Sequence, residues 1–202
     1  MEIVAVVLAA GEGRRMGRRP KALLSVDGVS FLARCVSRLR RPGISAVVAV
    51  LGHEAARVAA EAGLPATGAA RLVVNDRHQE GMLGSVQLGL AEAERLGAEA
   101  VLLHPVDHPL VEPSTVDAVV AALVSGARIV VPTYRDCRGH PGGFAASCWS
   151  GIRAVSADRG ARSVLADHPH WVTHVPGCPG CVAGVNTPED YARLLAPLPD
   201  DG

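Results

Sequence analysis

The residues best suited to chemistry in this sequence follow its first apolar segment. Gly11 and Gly13 lie two residues apart, and Arg14, Arg15 and Lys21 come soon after them. Glycines let the backbone turn sharply and bring its N–H groups against a ligand without a Cβ in the way. Backbone donors and nearby cations together bind phosphate groups. The segment therefore predicts a polyphosphate site, and the alternative is an ordinary strand-to-helix turn with solvated arginines.

Two common glycine-rich motifs do not match this segment. A dinucleotide fingerprint places its third glycine where this chain has Met16. A P-loop needs four residues between its glycines, whereas Gly13 and Gly17 are separated by three and Arg18 follows. The glycine spacing therefore disfavours an NAD-dependent oxidoreductase.

A second candidate for chemistry is the carboxylate of Asp107. It follows an apolar segment, residues 100–103, and lies between Pro105 and Pro109, which stiffen the loop. A carboxylate just past the carboxyl end of a buried strand lies where open α/β sheets bind ligands. Mg²⁺ that bridges nucleotide phosphates needs one or two such carboxylates. Asp107 is therefore a candidate metal ligand, and the alternative is a turn aspartate that accepts from local backbone N–H groups.

The opening of the chain resembles that of a known enzyme family. Leu8-Ala9-Ala10-Gly11 is followed by Arg15-Met16-Gly17 and then by Pro20-Lys21. This order and spacing resemble the LAAG-x3-RMG-x2-PK opening of the MobA-like NTP transferases, which include the enzymes that attach CMP or GMP to molybdopterin. Sugar-1-phosphate nucleotidyltransferases open similarly. The resemblance implies that the chain transfers a nucleotide from an NTP to a phosphate acceptor and releases pyrophosphate.

Later segments extend the resemblance along most of the chain. Residues 75–85 resemble the family segment that contacts the nucleoside, and residues 105–110 resemble its metal-binding D-x-P segment. Residues 138–141, Arg-Gly-His-Pro, resemble the acceptor side of the molybdopterin cytidylyltransferase branch, although two glycines follow where bulky apolar residues are usual. Residues 158–162 resemble a G-D-x-G-A-R segment. Residues 184–190 resemble the closing D-x-D-T-P-E-D or N-x-N-T-P-E-D segment, with Gly184 and Asn186 at its first two key positions.

These segments assign expected roles by resemblance. Arg15, Lys21 and Asp107 are expected to be catalytic, Arg138 and His140 to bind the acceptor, and Asp107 and Asn186 to hold Mg²⁺. The residues expected to bind the nucleotide are Leu8, Ala9, Ala10, Gly11, Gly13, Lys21, Asn75, Asp76, Gly81, Met82 and Ser85.

Structural alternatives stay open for four of these residues. Ser85 and Asn186 can each cap a helix, Asp76 can be a surface carboxylate, and His140 can be a turn histidine.

The substrates implied by the resemblance are CTP and molybdopterin. Ala10 stands where the GMP-transferring branch usually has a second glycine, and its extra methyl group should favour the smaller pyrimidine. A recipient molybdoenzyme or its chaperone is implied as a further partner. The alternatives are a sugar- or alcohol-phosphate nucleotidyltransferase, and a nucleotide-binding regulator without turnover, for which Gly184 is the one hint.

Composition limits the classes of partner. The chain has 202 residues, is 49% hydrophobic, and carries 20 Lys and Arg against 20 Asp and Glu. A net charge of zero argues against a nucleic-acid partner, and no apolar run is long enough to predict a membrane span. Five scattered cysteines without a signal peptide predict a reduced, cytoplasmic protein.

His174, Cys178 and Cys181 are a weak zinc candidate, because a second cysteine pair is missing.

The pattern of apolar residues predicts the elements that must position these side chains. Strands are predicted at residues 3–10, 46–51, 71–75, 100–103 and 129–133, and helices at residues 31–39, 54–62, 84–96 and 114–124. A short strand at 142–145, a helix at 161–166, a strand at 171–175 and a helix at 188–195 follow. Strict alternation implies a mainly parallel sheet covered on both faces.

The expected fold is therefore a single-domain, Rossmann-like, three-layer α/β/α fold, which the resemblance makes a GT-A-like nucleotidyltransferase fold. Its predicted extent is residues 1–196, with a nucleotide-binding half at 1–134, an acceptor-binding half at 135–196 and a flexible tail at 197–202.

Overall fold

A computed structural model describes residues 1–64, 70–155 and 163–196 of the chain. The strands are β1 (Ile3–Ala9), β2 (Ser25–Val26), β3 (Val29–Ser30), β4 (Ile44–Leu51), β5 (Arg71–Val74), β6 (Ala100–Pro105), β7 (Ile129–Tyr134), β8 (Cys137–Arg138), β9 (Gly142–Ala145) and β10 (Val172–Pro176). The helices are α1 (Phe31–Leu39), α2 (Ala55–Glu61), α3 (Met82–Arg95), α4 (Pro113–Val124), α5 (Trp149–Ala154), α6 (Ser163–Asp167), α7 (Pro179–Val182) and α8 (Pro188–Leu195).

The described strands form one large sheet and one small hairpin. The large sheet has the order β10-β7-β9-β6-β1-β4-β5, with β8 paired to the end of β7, and β2 pairs with β3. The strands β6, β1, β4 and β5 run parallel to one another, and β10 runs parallel to β7. The predicted α/β fold with a mainly parallel sheet is therefore confirmed. The division into two halves at residue 134 stays a prediction.

One strand lies where the sequence pattern did not place it. Strand β9 is inserted between β6 and β7 and runs antiparallel to both. Its glycines explain how it fits under α4, because a Cβ on Gly143 would lie 2.8 Å from Val119 Cγ1 and 3.0 Å from Leu123 Cδ1. Gly143 therefore lets a helix pack directly on the backbone of this strand.

The core lies on both faces of the sheet, with β1 at its centre. Every residue of β1 is buried, and alternate side chains belong to two apolar clusters. Phe31 and Leu32 of α1 pack on one face, and Leu90 of α3 packs on the other. Within the described ranges, we find no helix with the length and apolar character needed to cross a membrane.

The parallel strands bring their carboxyl ends to one edge of the sheet, where the candidate residues follow. The helices predicted at 84–96 and 114–124 are confirmed. The first of these begins two residues earlier, at Met82. The hairpin formed by β2 and β3 and the short helix α7 were not predicted. The segment 158–162 and the tail 197–202 lie outside the described residues.

Candidate functional site

A cleft of about 420 Å³ opens at the carboxyl ends of β1 and β6. It is lined by the loop that follows β1, by the start of α3, by the loop that follows β6, and by the residue two positions before α8. These lining residues are Leu8, Ala9, Ala10, Gly11, Glu12, Gly13, Arg14, Arg15, Lys21, His78, Gln79, Gly81, Met82, Ser85, Pro105, Val106, Asp107 and Asn186. The cleft therefore brings together most of the residues that the sequence predicted for the nucleotide and the metal.

The loop after β1 requires glycine at one position. Gly13 has a φ of 61°, and a Cβ there would lie 2.1 Å from the carbonyl oxygen of Arg19. Its own carbonyl accepts from the backbone N–H groups of Met16 and Arg18, which closes a tight turn. Gly11 is exposed, and a Cβ there would meet nothing within 4 Å. The loop thus presents open backbone at Gly11 and a fixed turn at Gly13.

A cluster of two cations, one carboxylate and one amide lies at the mouth of this loop. Lys21 Nζ donates to Asp107 Oδ2 and to Asn186 Oδ1, both at 2.9 Å. Arg15 donates to the same Asn186 oxygen at 3.1 Å. The side chains of Lys21 and Asp107 are only 16% and 19% exposed, so this ion pair is shielded from water.

The backbone on either side of this cluster fixes its position. Val106 N–H donates to the carbonyl of Leu8, and Val185 N–H donates to the carbonyl of Asp107. Thr187 is the N-cap of α8, and Asp190 accepts from the backbone N–H groups of Asn186 and Thr187. The cap of α8 is therefore Thr187, and the side chain of Asn186 points into the cleft instead.

The nucleoside-side candidates form a second buried contact. Asn75 Nδ2 donates to Ser85 Oγ at 2.9 Å, and Asn75 Oδ1 accepts from the backbone of Arg77. Ser85 lies inside α3, whose N-cap is Gly81, so it does not cap the helix. Asp76 is exposed and does not line the cleft, which agrees with the alternative of a surface carboxylate.

The acceptor-side candidates do not line the cleft. Arg138 is exposed on β8, where its backbone pairs with Thr133 of β7. His140 packs the edge of its ring against His108, with 4.7 Å between ring centroids. The ring of His140 therefore contacts His108, which follows Asp107 directly.

Three histidines lie together behind Asp107. His104 is fully buried, and its Nε2 lies 3.1 Å from the carbonyl oxygen of His108. Burial lowers the pKa of His104 to about 3 and that of His140 to about 4. Burial also lowers the pKa of His108, although the charge of Asp107 acts in the opposite direction. All three rings are therefore neutral at pH 7.

Sequence reasoning missed several residues of the site. Glu12 lies on the rim, where the Arg14 guanidinium lowers its pKa. His78 lines the cleft and packs closely on Gly52. A Cβ added at Gly52 would lie only 2.6 Å from the Cβ of His78. His108 was passed over because it is the variable residue of the D-x-P segment. The only signal for these residues in the sequence is their nearness to recognised motifs.

The cysteine pair of the CxxC segment is buried and closely packed. Cys178 and Cys181 are buried free thiols, and a Cβ on Gly139 or Gly177 would lie within 2.6 Å of Cys181 Sγ. His174 is exposed on β10. In the part of the chain that the structure describes, no group of three His, Cys, Asp or Glu side chains could hold a metal ion.

Comparison with known proteins places this cleft in a family. The profile described as the MobA-like NTP transferase domain matches residues 5–172. The chain is 34% identical to the nicotine blue oxidoreductase of Paenarthrobacter nicotinovorans, over 96% of each chain. It is 30% identical to the molybdenum cofactor guanylyltransferase of Rhodobacter capsulatus, over 96% of this chain and 95% of the relative. It is 40% identical to the 2-C-methyl-D-erythritol 4-phosphate cytidylyltransferase of Saccharopolyspora erythraea, over 65% of this chain and 59% of the relative.

Solved structures share the whole fold. The crystal structure of Rv0371c from Mycobacterium tuberculosis superposes with a TM-score of 0.81 and 29% identity, covering 96% of this chain and 97% of that one. A structure of Rv0371c in complex with manganese gives a TM-score of 0.78 and 28% identity, covering 96% of this chain and 98% of that one.

Proposed function

This chain belongs to the MobA-like NTP transferase family, and we propose that it transfers a nucleotide from an NTP to a phosphate acceptor with release of pyrophosphate. The observation that carries the proposal is the convergence of four side chains from distant segments on one point of the cleft. Arg15 and Lys21 come from the loop after β1, Asp107 follows β6, and Asn186 precedes α8.

Nucleotidyl transfer needs positioning and charge neutralisation more than covalent help. The open backbone at Gly11 and the turn at Gly13 offer N–H groups to the phosphates. Arg15 and Lys21 supply positive charge for the α-phosphate and the leaving pyrophosphate. Asp107 and Asn186 hold these two cations in place before the substrate arrives.

The chemistry of the donor set fits a divalent cation. Asp107 Oδ2 is taken by Lys21, whereas Oδ1 carries no hydrogen bond among the described residues, so one carboxylate oxygen remains available. Mg²⁺ is commonly held by one or two carboxylates together with substrate phosphates. Bound there, Mg²⁺ would neutralise charge on the polyphosphate. The manganese in the Rv0371c structure supports a divalent cation in this fold.

The finer assignment is CTP as donor and molybdopterin as acceptor. The resemblance of residues 138–141 to the molybdopterin cytidylyltransferase branch supports it, as does Ala10 at the cleft wall. The relatives include both a guanylyltransferase and a cytidylyltransferase, so they do not distinguish CTP from GTP as the donor. A sugar- or alcohol-phosphate acceptor and a nucleotide-binding regulator are the alternatives within the same fold.

A second candidate function is suggested by one relative. The nicotine blue oxidoreductase matches this chain over 96% of each length, whereas the cytidylyltransferase of Saccharopolyspora erythraea matches 65% of this chain. The glycine spacing excludes a Rossmann fingerprint, but it does not exclude a dinucleotide bound in the MobA-like cleft. An oxidoreductase is therefore the competing class.

One experiment separates these classes. Pyrophosphate release is measured with four NTPs and a panel of acceptors, and oxidation of NADH and NADPH is measured in parallel with conjugated electron acceptors. We expect acceptor-dependent pyrophosphate release that Lys21→Met abolishes and that Arg40→Met, at an exposed arginine outside the cleft, leaves unchanged. Oxidation of a nicotinamide without pyrophosphate release would favour the oxidoreductase, and nucleotide binding with neither reaction would favour the regulator.

A further inference from the structure

The two oxygens of the Asp107 carboxylate face different partners. Oδ2 lies 2.9 Å from the ammonium group of Lys21. Oδ1 faces Nε2 of His108 at 3.8 Å, which is too long for a hydrogen bond. Nε2 of His108 is therefore close to Oδ1 of Asp107 without forming a hydrogen bond to it.

This separation suits two atoms that share one metal ion. Ligand atoms about 2.1 Å from a common ion are about 3.0 Å apart at a right angle and about 4.2 Å apart when opposite. The observed 3.8 Å lies between these limits. An ion bound on this side of Asp107 would leave the contact between Oδ2 and Lys21 intact.

The surroundings of His108 direct Nε2 toward the carboxylate. The other ring nitrogen, Nδ1, is buried without a hydrogen bond of ordinary geometry, beside backbone groups of Gly180 and Cys181. The ring of His140 packs against one side. Metal-bound histidines commonly point their second nitrogen at backbone carbonyls, which fixes the orientation of the ring.

The backbone of Gly184 lies beside Nε2 of His108, where a larger residue would crowd the ring. A Cβ at this position would lie 3.0 Å from His108 Nε2 and 3.2 Å from Asn186 Nδ2. Position 184 is also where the closing segment of the resembled family has a carboxylate or amide. The family's side chain at position 184 would therefore lie next to the ring that His108 provides here.

We propose that His108 Nε2 is a ligand of the divalent cation, together with Asp107 Oδ1, and replaces the ligand that Gly184 lacks. The inference rests on the proposed function, because the cation is the one that nucleotidyl transfer uses. An imidazole ligand disfavours Mg²⁺, which prefers oxygen, and suits Mn²⁺ and later first-row ions. The site should therefore prefer Mn²⁺ to Mg²⁺.

The test is pulsed EPR of the full-length protein with Mn²⁺ and a non-hydrolysable CTP analogue. We expect a ¹⁴N coupling from the directly bound imidazole in the wild type and its loss in His108→Leu. Mn²⁺ affinity should fall at least about tenfold in that variant, whereas Mg²⁺ affinity should change less. His140→Leu is the matched control, because it removes the neighbouring ring, and it should keep the coupling.

A second variant leaves His108 in place. Gly184→Ala puts a methyl group 3.0 Å from Nε2 and should weaken the coupling and the Mn²⁺ affinity without removing any ligand. Circular dichroism confirms that each variant is folded. This variant keeps the proposal testable if His108→Leu does not fold.

Three results would overturn the proposal: no Mn²⁺ binding, bound Mn²⁺ without ¹⁴N coupling in the wild type, or coupling that survives in His108→Leu. Failure of the proposed function looks different. Pyrophosphate release without ¹⁴N coupling would leave nucleotidyl transfer standing and reject His108 as a ligand. A ¹⁴N coupling that depends on His108, without pyrophosphate release, would support the ligand and reject the transferase.

Discussion

Replacing Asp107 by asparagine should separate nucleotide binding from turnover. The substitution keeps the size and shape of the side chain but removes one negative charge that lies 2.9 Å from the Lys21 ammonium group. An amide oxygen can still accept from Lys21, and Lys21 also keeps its bond to Asn186. The fold should therefore be retained, while the cluster gains one unit of positive charge.

The size of both effects follows from this geometry. In the wild type, Asp107 cancels the charge of Lys21 as seen from a bound phosphate. Without Asp107, a phosphate charge about 4 Å from the ammonium group gains at least about 1 kcal/mol, the bulk-water value, or roughly fivefold in affinity per charge. Turnover should fall at least ~100-fold, the scale of losing one strong electrostatic contact in a transition state.

The assay compares calorimetric titration of CTP in EDTA with pyrophosphate release at saturating Mg²⁺. Asp117→Asn is the matched control, because Asp117 is also paired with a cation, Arg41, at 2.7 Å, but does not line the cleft. The control should change neither quantity. Near-normal turnover of Asp107→Asn at saturating Mg²⁺, or unchanged or weaker CTP binding without metal, would refute this reasoning.

Three further predictions concern base choice, metal requirement and pH. Wild-type kcat/KM should favour CTP over GTP by at least ~10-fold, and Ala10→Gly should reduce that ratio; equal values in the wild type would reject the steric argument. Asn186→Ala removes an amide oxygen that is a candidate Mg²⁺ ligand, so it should raise the Mg²⁺ concentration needed for turnover, and an unchanged Mg²⁺ dependence would show that Asn186 has no part in metal use. Burial lowers the pKa of His104 to about 3 and of His140 to about 4 from the usual 6.5, so the unfolded chain binds more protons within that window. The melting temperature should therefore fall as pH drops from 7 to 5, and a constant value would contradict the assigned burial.

The loop after β1 could be predicted from the sequence because its signals are local. An apolar run of β-branched residues gives the strand, and the glycines that follow give the turn. The same reasoning placed Asp107 at the carboxyl end of a neighbouring strand. Parallel pairing of β1 with β6 then brings the two segments together, as the structure shows.

Contacts between distant segments left no such signal. Asn186 meets Lys21 across 165 residues of sequence, and only the resemblance to the family, not a local pattern, indicated that the two residues share a site. Strand β9 has two glycines among its four residues, so its side chains could not reveal that it is inserted antiparallel between β6 and β7. His108 looked like a spacer because its role depends on the neighbouring Gly184, 76 residues later in the sequence.

Arg138 shows the opposite case, in which a motif suggested a site that the fold does not assemble. The residue matches the Arg-Gly-His-Pro segment, but β8 pairs with the end of β7 and leaves the Arg138 side chain exposed away from the cleft lining. Its role in acceptor binding stays a prediction, which an acceptor extending out of the cleft would satisfy.

If this cleft joins the α-phosphorus of an NTP to a phosphate acceptor, the product contains a new diphosphate link. Phosphorus NMR of a reaction with CTP, Mg²⁺ and the acceptor that supports most pyrophosphate release tests it most directly. We predict a new diphosphate signal that couples the α-phosphate to the acceptor phosphate, formed in equal amount with pyrophosphate and absent with Lys21→Met. Appearance of CDP and orthophosphate instead, or no change in the CTP signals while the protein binds CTP, would contradict the account.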